Sequence, residues 1–263
     1  MAPTLATLKQ PIALRPDYVA TRPTKLSVVQ KRIGLTGGDF TISTIPSGDG
    51  DSSSAQRSDL FFVEGRVASI RERRHFRDAS GLPLFELTRK ATGVTHFVQL
   101  PGAPPDAPSI ATIAPRLNIF KDKFDVFLAN AADYGREVVL EARGQDIWKL
   151  RTNIYYNGAV VVTAKMANKL TPYVPGIKRE WIVDVAEGMD LSLAAVMAVH
   201  LVESLYNMSM ESTHSSNQSG PSSQPAYPTG QLSHPTESPS HPTDPPSYPA
   251  GPPSYPSDRK DPI

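Results

Sequence analysis

The chain contains no cysteine, which removes disulfides, thiolate metal sites and cysteine nucleophiles together. Such a composition fits a reducing compartment, where disulfides do not persist. Tryptophan is scarce, with 2 residues in 263. A dominant charge is missing too. The formal net charge is +1, so the chain lacks the basic excess of a dedicated nucleic-acid binder, and no nucleic acid is expected as a partner. The N-terminus, Met1-Ala-Pro-Thr-Leu-Ala-Thr-Leu-Lys-Gln10, has no basic segment followed by an apolar core and does not read as a signal peptide. The sequons at Asn207-Met-Ser209 and Asn217-Gln-Ser219 are therefore read as coincidence, and a cytoplasmic location is expected.

Catalytic patterns are absent as well. The histidines are His75, His96, His200, His214, His234 and His241, and none has the H-x₃-H or H-E-x-x-H spacing of a metal site. Asp49 and Asp51 in Gly-Asp-Gly-Asp look like half of a calcium loop without its downstream glutamate, and a polar loop is the simpler reading. Gly34, Gly37 and Gly38 do not form a phosphate-binding glycine motif with a following helix. No serine occupies G-x-S-x-G. The expectation is a protein with no catalytic residues, no metal and no cofactor, hence no enzyme. His200 reads as a satisfied buried polar group, and Trp148 and Trp181 as core or rim aromatics.

What is present falls into three zones. Residues 1–23 are punctuated by Pro3, Pro11, Pro16 and Pro23 without a clear period and are expected to be loosely held. Residues 208–263 are expected to be a disordered tail. Positions 211–263 hold 13 of the 26 prolines and 12 serines, with no Val, Phe, Trp or Met. Such a segment buries too little apolar surface to offset its conformational entropy. Removing this acidic tail leaves 25 basic and 21 acidic residues in positions 1–210, a mildly cationic body.

Between these ends, residues 24–207, short strands dominate. They are read at Lys25–Gln30, Phe40–Ile45, Leu60–Val63, Arg66–Arg71, Leu84–Lys90, His96–Leu100 and Ile119–Phe120. The series continues at Phe124–Ala129, Val138–Ala142, Ile147–Leu150, Ile154–Asn157, Val160–Lys165 and Trp181–Val185. Turns are expected at Thr36–Asp39, Asp78–Gly81, Arg143–Asp146 and Asn157-Gly158, the last a strong hairpin signal. Two long loops are expected, Pro46–Asp59 and Pro101–Pro115. This spacing suits an antiparallel meander closed into a barrel or sandwich, a mainly β fold.

One segment departs from that pattern. Asp190 is a good N-cap, and Leu191–Leu205 is apolar around nearly its whole circumference, broken by Ser192, His200, Glu203 and Ser204. A helix of this kind is enclosed by protein or spans a membrane. A predominantly apolar run of roughly 15 residues falls short of the ~20 a span needs, so no transmembrane span is expected. A β-barrel of about twelve strands wrapped around this C-terminal helix is the economical arrangement.

Several motifs, in order, resemble the LURP-one-related family, which shares its fold with Tubby C-terminal domains and phospholipid scramblases. They are Asp39-Phe40-Thr41-Ile42, Phe61-Phe62-Val63-Glu64-Gly65 and Arg77-Asp78-Ala79-Ser80-Gly81-Leu82-Pro83-Leu84. Tyr173-Val174, Val183-Asp184-Val185-Ala186 and Gly188-Met189-Asp190 then lead into the apolar helix. The resemblance implies a twelve-strand barrel threaded by a hydrophobic helix. It links plant members to defence signalling and related folds to phosphoinositide binding or lipid scrambling.

The sharpest functional motifs are in the tail. Pro245-Pro246-Ser247-Tyr248 and Pro252-Pro253-Ser254-Tyr255 are both PPxY sequences. A preformed polyproline II segment lays Pro245, Pro246, Pro252 or Pro253 into the aromatic groove of a WW domain, while Tyr248 or Tyr255 enters a neighbouring pocket. Composition alone yields roughly 0.2 such motifs here, so two copies favour a WW ligand over accident. Gln224-Pro225-Ala226-Tyr227 is a degraded third copy. The copies start about 22 Å apart in extended form, which permits rebinding or tandem engagement. A second candidate is the basic run Arg66, Arg71, Arg73, Arg74, His75 and Arg77, suited to an anionic lipid headgroup. The plainer reading is a solvated hairpin rim with Glu72 and Asp78 as counter-charges. The expected function is an adaptor whose barrel binds a partner or membrane and whose tail recruits WW-domain proteins, a HECT-type ubiquitin ligase among them. The alternative is a phosphoinositide-binding or scramblase-like module peripheral to a membrane.

Overall fold

The computed structural model describes residues 3–31, 39–46, 57–65, 73–90, 93–104, 107–116, 123–145, 150–168 and 179–216, with side chains up to residue 204. Twelve strands among them form one closed antiparallel barrel in which each strand neighbours the next and β1 closes on β12. They are β1 (Thr24–Gln30), β2 (Phe40–Ile45), β3 (Ser58–Gly65), β4 (Arg74–Asp78), β5 (Pro83–Arg89) and β6 (His96–Gln99). The remaining six are β7 (Ala111–Arg116), β8 (Lys123–Asn130), β9 (Arg136–Gly144), β10 (Arg151–Tyr156), β11 (Ala159–Met166) and β12 (Arg179–Val185). Closure pairs every strand on both sides and leaves no edge to recruit another chain.

Register follows from the two-residue alternation of the strands. Val28 stands opposite both Ile42 and Trp181, and Ile42 opposite Phe61, so their side chains form one buried row on the inner wall. The β10–β11 hairpin turns at Asn157 and Gly158, whose φ values of 48° and 81° supply the left-handed pair that a tight hairpin requires. The Asp78–Gly81 turn is held by Asp78 Oδ1, which accepts from Ser80 N and Leu82 N at 2.9 Å each.

A barrel of eight strands is filled by its own side chains, and twelve strands enclose more room than side chains alone can fill. Helix α1 (Leu191–Ser216) occupies that space. Every side chain from Leu193 to Val199 is at most 1 % exposed, so the run is apolar all round because wall surrounds it all round. Ala194, Ala195 and Ala198 let strands approach the helix backbone. Leu193, Val196, Met197, Val199, Leu201 and Val202 together contribute roughly 10 kcal/mol of transfer free energy before conformational entropy is subtracted. Among the described residues no helix is long and apolar enough to cross a membrane.

Four expectations need correction. The N-terminal segment is not loosely held. Ile12, Ala13, Leu14 and Ala20 are buried, and Ala6 N donates to Val160 O at 2.9 Å and Ile12 N to Gly188 O at 3.0 Å. Its partners are carbonyls and side chains of distant elements, so no local period marks it. Strand β4 covers Arg74–Asp78, where no strand was expected, and β7 occupies the end of the expected Pro101–Pro115 loop. The helix continues past Leu205 to Ser216, into the segment assigned to the tail. Strand readings at Arg66–Arg71, Ile119–Phe120 and most of Ile147–Leu150, the Thr36–Asp39 turn apart from Asp39, and Trp148 lie outside the described residues.

The junction of N-terminal segment and helix rests on one carboxylate. Asp190 Oδ2 accepts from Leu14 N and Arg15 N at 2.9 Å each, while Oδ1 caps the helix from Ser192 N at 2.6 Å and Ser192 Oγ at 2.7 Å. Burial pushes the Asp190 pKa up, against these hydrogen bonds, which pull it down. Gly188, at φ +85°, passes beneath Leu8, and an added Cβ would come within 2.8 Å of Leu8 Cβ. Asn130 completes the attachment, accepting from Ala13 N and donating to Pro11 O, both at 2.9 Å. Asp190→Ala leaves two buried backbone N–H groups and the partly buried Arg15 N–H without an acceptor and removes the helix cap. It is expected to cost about 3 kcal/mol, read as a lower urea midpoint. Asp190→Asn, which keeps one acceptor, is expected to cost less.

Candidate functional site

The basic run of the sequence does not stay together in space. Successive residues of a strand point to opposite faces, and β4 divides Arg74 from His75 and Arg77. Arg74, with Phe76, faces the barrel interior, where its Nε lies 2.5 Å from Glu203 Oε1 of α1. Outside, buried Glu86 draws in two neighbours: Arg73 Nη1 at 3.1 Å and His75 Nδ1 at 3.2 Å. Arg77 Nε faces Glu64 at 3.7 Å, with the two side chains 43 % and 59 % exposed. The counter-charges are thus Glu64, Glu86 and Glu203, supplied by neighbouring strands and the helix. Asp78 is occupied by its turn and by Tyr18 Oη at 3.2 Å. Hydrogen bonding from Ser80 heads the contributions that hold its carboxyl below the usual range. Arg66, Arg71 and Glu72 lie outside the described residues. So do both PPxY motifs, with Pro245, Pro246, Tyr248, Pro252, Pro253 and Tyr255.

A polar group that sequence reading did not assemble lies inside the barrel near the helix exit. His96 of β6 and His200 of α1 meet edge to face with ring centroids 4.6 Å apart, and Phe124 of β8 contacts His200 at 5.0 Å. His200 is 2 % exposed. It is not the satisfied polar group expected, since its Nδ1 has no hydrogen-bond partner. Val94 O lies 3.1 Å from His96 Nδ1, so in the neutral ring that nitrogen carries the proton. Burial lowers the His200 pKa to about 3, with His96 adding to the effect. Burial and then Arg89 lower that of His96 to about 4, against the Val94 hydrogen bond. Arg89 stands opposite His96 in the β5–β6 ladder. The only signal in the sequence was polar residues interrupting apolar strands and helix.

Two surface hollows were also found. One of about 320 Å³ lies beside the helix N-terminus, lined by Arg22, Lys25 and Leu191 among others. Another of about 250 Å³ lies on the outer wall, where Phe127 and Val139 stand opposite each other. Neither is lined by histidine or by a pair of carboxylates. Among the described residues no group of three or more His, Asp or Glu side chains is placed to hold a metal ion.

A closed twelve-strand antiparallel barrel threaded by an apolar C-terminal helix defines the class of protein. Comparison with known families agrees with it: the LURP-one-related family model matches residues 24–202, and the chain belongs to that family. A relative, Protein LURP-one-related 15 of Arabidopsis thaliana, is 27 % identical over 164 residues, covering 61 % of this chain and 70 % of that protein. The family match ends at residue 202, so the proline-rich tail lies beyond it.

The ion pairs differ in what they contribute. The Arg74 and Glu203 side chains are 11 % and 15 % exposed, and removing one partner leaves a charge in a largely dehydrated site. Glu203→Ala is expected to cost about 3 kcal/mol. Glu64→Ala, at an exposed pair, is expected to cost under about 1 kcal/mol. Urea unfolding of both variants at neutral pH checks the ordering.

Proposed function

We propose that this chain is a non-enzymatic adaptor in which the barrel binds a partner or membrane surface and the tail recruits WW-domain proteins through its two PPxY sequences. The observation that carries the reading is the pair Pro245-Pro246-Ser247-Tyr248 and Pro252-Pro253-Ser254-Tyr255 within a segment too poor in apolar residues to fold alone. A segment already extended in polyproline II loses little entropy on docking. Two closely spaced copies raise the effective concentration for rebinding or tandem engagement. A HECT-type ubiquitin ligase is the WW partner class this reading favours, and a cytoplasmic location suits it. Support for a non-catalytic role comes from the sequence, where no nucleophile–base or metal-ligand spacing was found.

The alternative, an anionic-lipid or scramblase-like module, draws on Arg66, Arg71, Arg73, Arg74 and Arg77. It is weakened by the carboxylates that already face Arg73, Arg74 and Arg77, since a headgroup would have to compete with them.

Pull-down with a tandem WW-domain protein tests the adaptor reading. Tyr248→Ala with Tyr255→Ala is expected to lower recovery at least about tenfold, while either change alone leaves an intermediate signal. Undiminished recovery of the double variant would contradict it. Flotation with phosphoinositide-containing vesicles tests the alternative. Little anion-dependent flotation is expected, whereas strong flotation lost in Arg71→Ala/Arg73→Ala/Arg77→Ala would establish the lipid reading instead.

A further inference from the structure

We propose that His96 and His200 form an acid-sensitive latch, holding the Met197–Ser204 stretch of α1 inside the barrel at neutral pH and releasing it when the pair takes up a proton. The geometry asks for neutral rings. The imidazoles touch edge to face at 4.6 Å, His200 is buried, and its other neighbour is the uncharged ring of Phe124. No hydrogen bond anchors His200 Nδ1, so that nitrogen does not fix the ring, which packs against His96 and Phe124.

The charged groups at this end of the barrel come from several elements. From β5, Arg89 stands beside His96. From β4, Arg74 points inward to Glu203. From β12, Arg179 shares the inner face with buried Trp181, two residues on, a consequence of strand alternation. Gln30 of β1, opposite Arg179, is uncharged. From α1 itself the described carboxylate is Glu203, one turn beyond His200 and engaged by Arg74. A proton on either imidazole therefore enters a buried region already rich in arginine, where the nearby carboxylate is taken.

The direction of the response follows. Burial holds His200 at about 3 and His96 at about 4, below the ~6.5 of a hydrated imidazole. Above pH ~6.5 neither the latched nor the released state binds the proton, and the latch is whole. Below it the released state protonates first, so release gains ground as pH falls toward the latched values. Between pH 7.5 and 5.5 the shift is about tenfold for each imidazole. Release would expose Leu201 and Val202, both now buried.

Hydrogen exchange of the full chain at pH 7.5 and 5.5, corrected for intrinsic rates, tests the latch. Protection of α1 amides over residues 197–204 is expected to fall at least about tenfold at pH 5.5. That of β12 and of the Asp190-capped first turn should hold. His200→Gln, which cannot titrate, should flatten the response, and His96→Gln at the barrel wall should reduce it even if His200→Gln fails to fold. Undiminished protection of the wild-type helix at pH 5.5 would overturn the proposal. So would an equal acid response in either folded glutamine variant, since it would assign the effect to carboxylates.

Discussion

The enclosure of α1 is the constraint on which the rest of the molecule depends. A twelve-strand barrel without a filler would leave an apolar lumen either empty, at the cost of lost packing contacts, or wet against apolar walls. A helix apolar on every side would have nowhere soluble to go without the barrel. Each element therefore supplies the surface the other lacks, and Leu193–Val199 is buried from all directions as a result. This reciprocity explains why the helix sequence carries small residues alongside Leu, Val and Met. The wall must close around it at strand-to-helix distance.

The two ends of this arrangement are treated differently. At the helix N-terminus, the two anchoring side chains are fully used, although Arg15 Nε has no hydrogen-bond partner. Asp190 and Asn130 accept buried backbone N–H groups and fasten the segment from Pro11 to Arg15 across the barrel end. Near the helix exit, polar groups are present without the same saturation. His200 Nδ1 and Trp181 Nε1 have no hydrogen-bond partner, and charge is carried by Arg74, Arg89, Arg179 and Glu203. A saturated end resists opening, because each bond lost strands a buried donor. An end held by ring contacts and ion pairs responds to protonation and ionic conditions. Conformational freedom of the barrel should therefore reside where the chain leaves it.

Much of the barrel was legible because its strands obey simple rules. Phe40–Ser43 alternates apolar and polar residues, Asn157-Gly158 marks a tight hairpin, and the apolar helix with its Asp190 cap announces an enclosing wall. Strand β4 was hidden because its inward face carries Arg74 next to Phe76, which breaks the apolar period. Strand β7 was hidden by prolines. Pro115 is tolerated there because β6 pairs with β7 only from Ala111 to Ile113, leaving Pro115 beside a single neighbour, β8. The N-terminal segment was misread because its order comes from Asn130, Asp190 and Gly188, far away in sequence. The His96–His200 contact was invisible for the same reason. The basic run was legible as composition but not as a site, since strand alternation sends Arg74 inward.

The dependence of barrel and helix on one another is tested most directly by ending the chain at Asp190 and comparing it with a chain ending at Ser216. Cooperative urea unfolding, followed by near-ultraviolet circular dichroism, is the measurement. The chain ending at Ser216 should unfold in one transition like the full protein. The chain ending at Asp190 should show no cooperative transition and should expose apolar surface. An unchanged cooperative transition in the chain without α1 would contradict the account, because the barrel would then not need the helix it encloses.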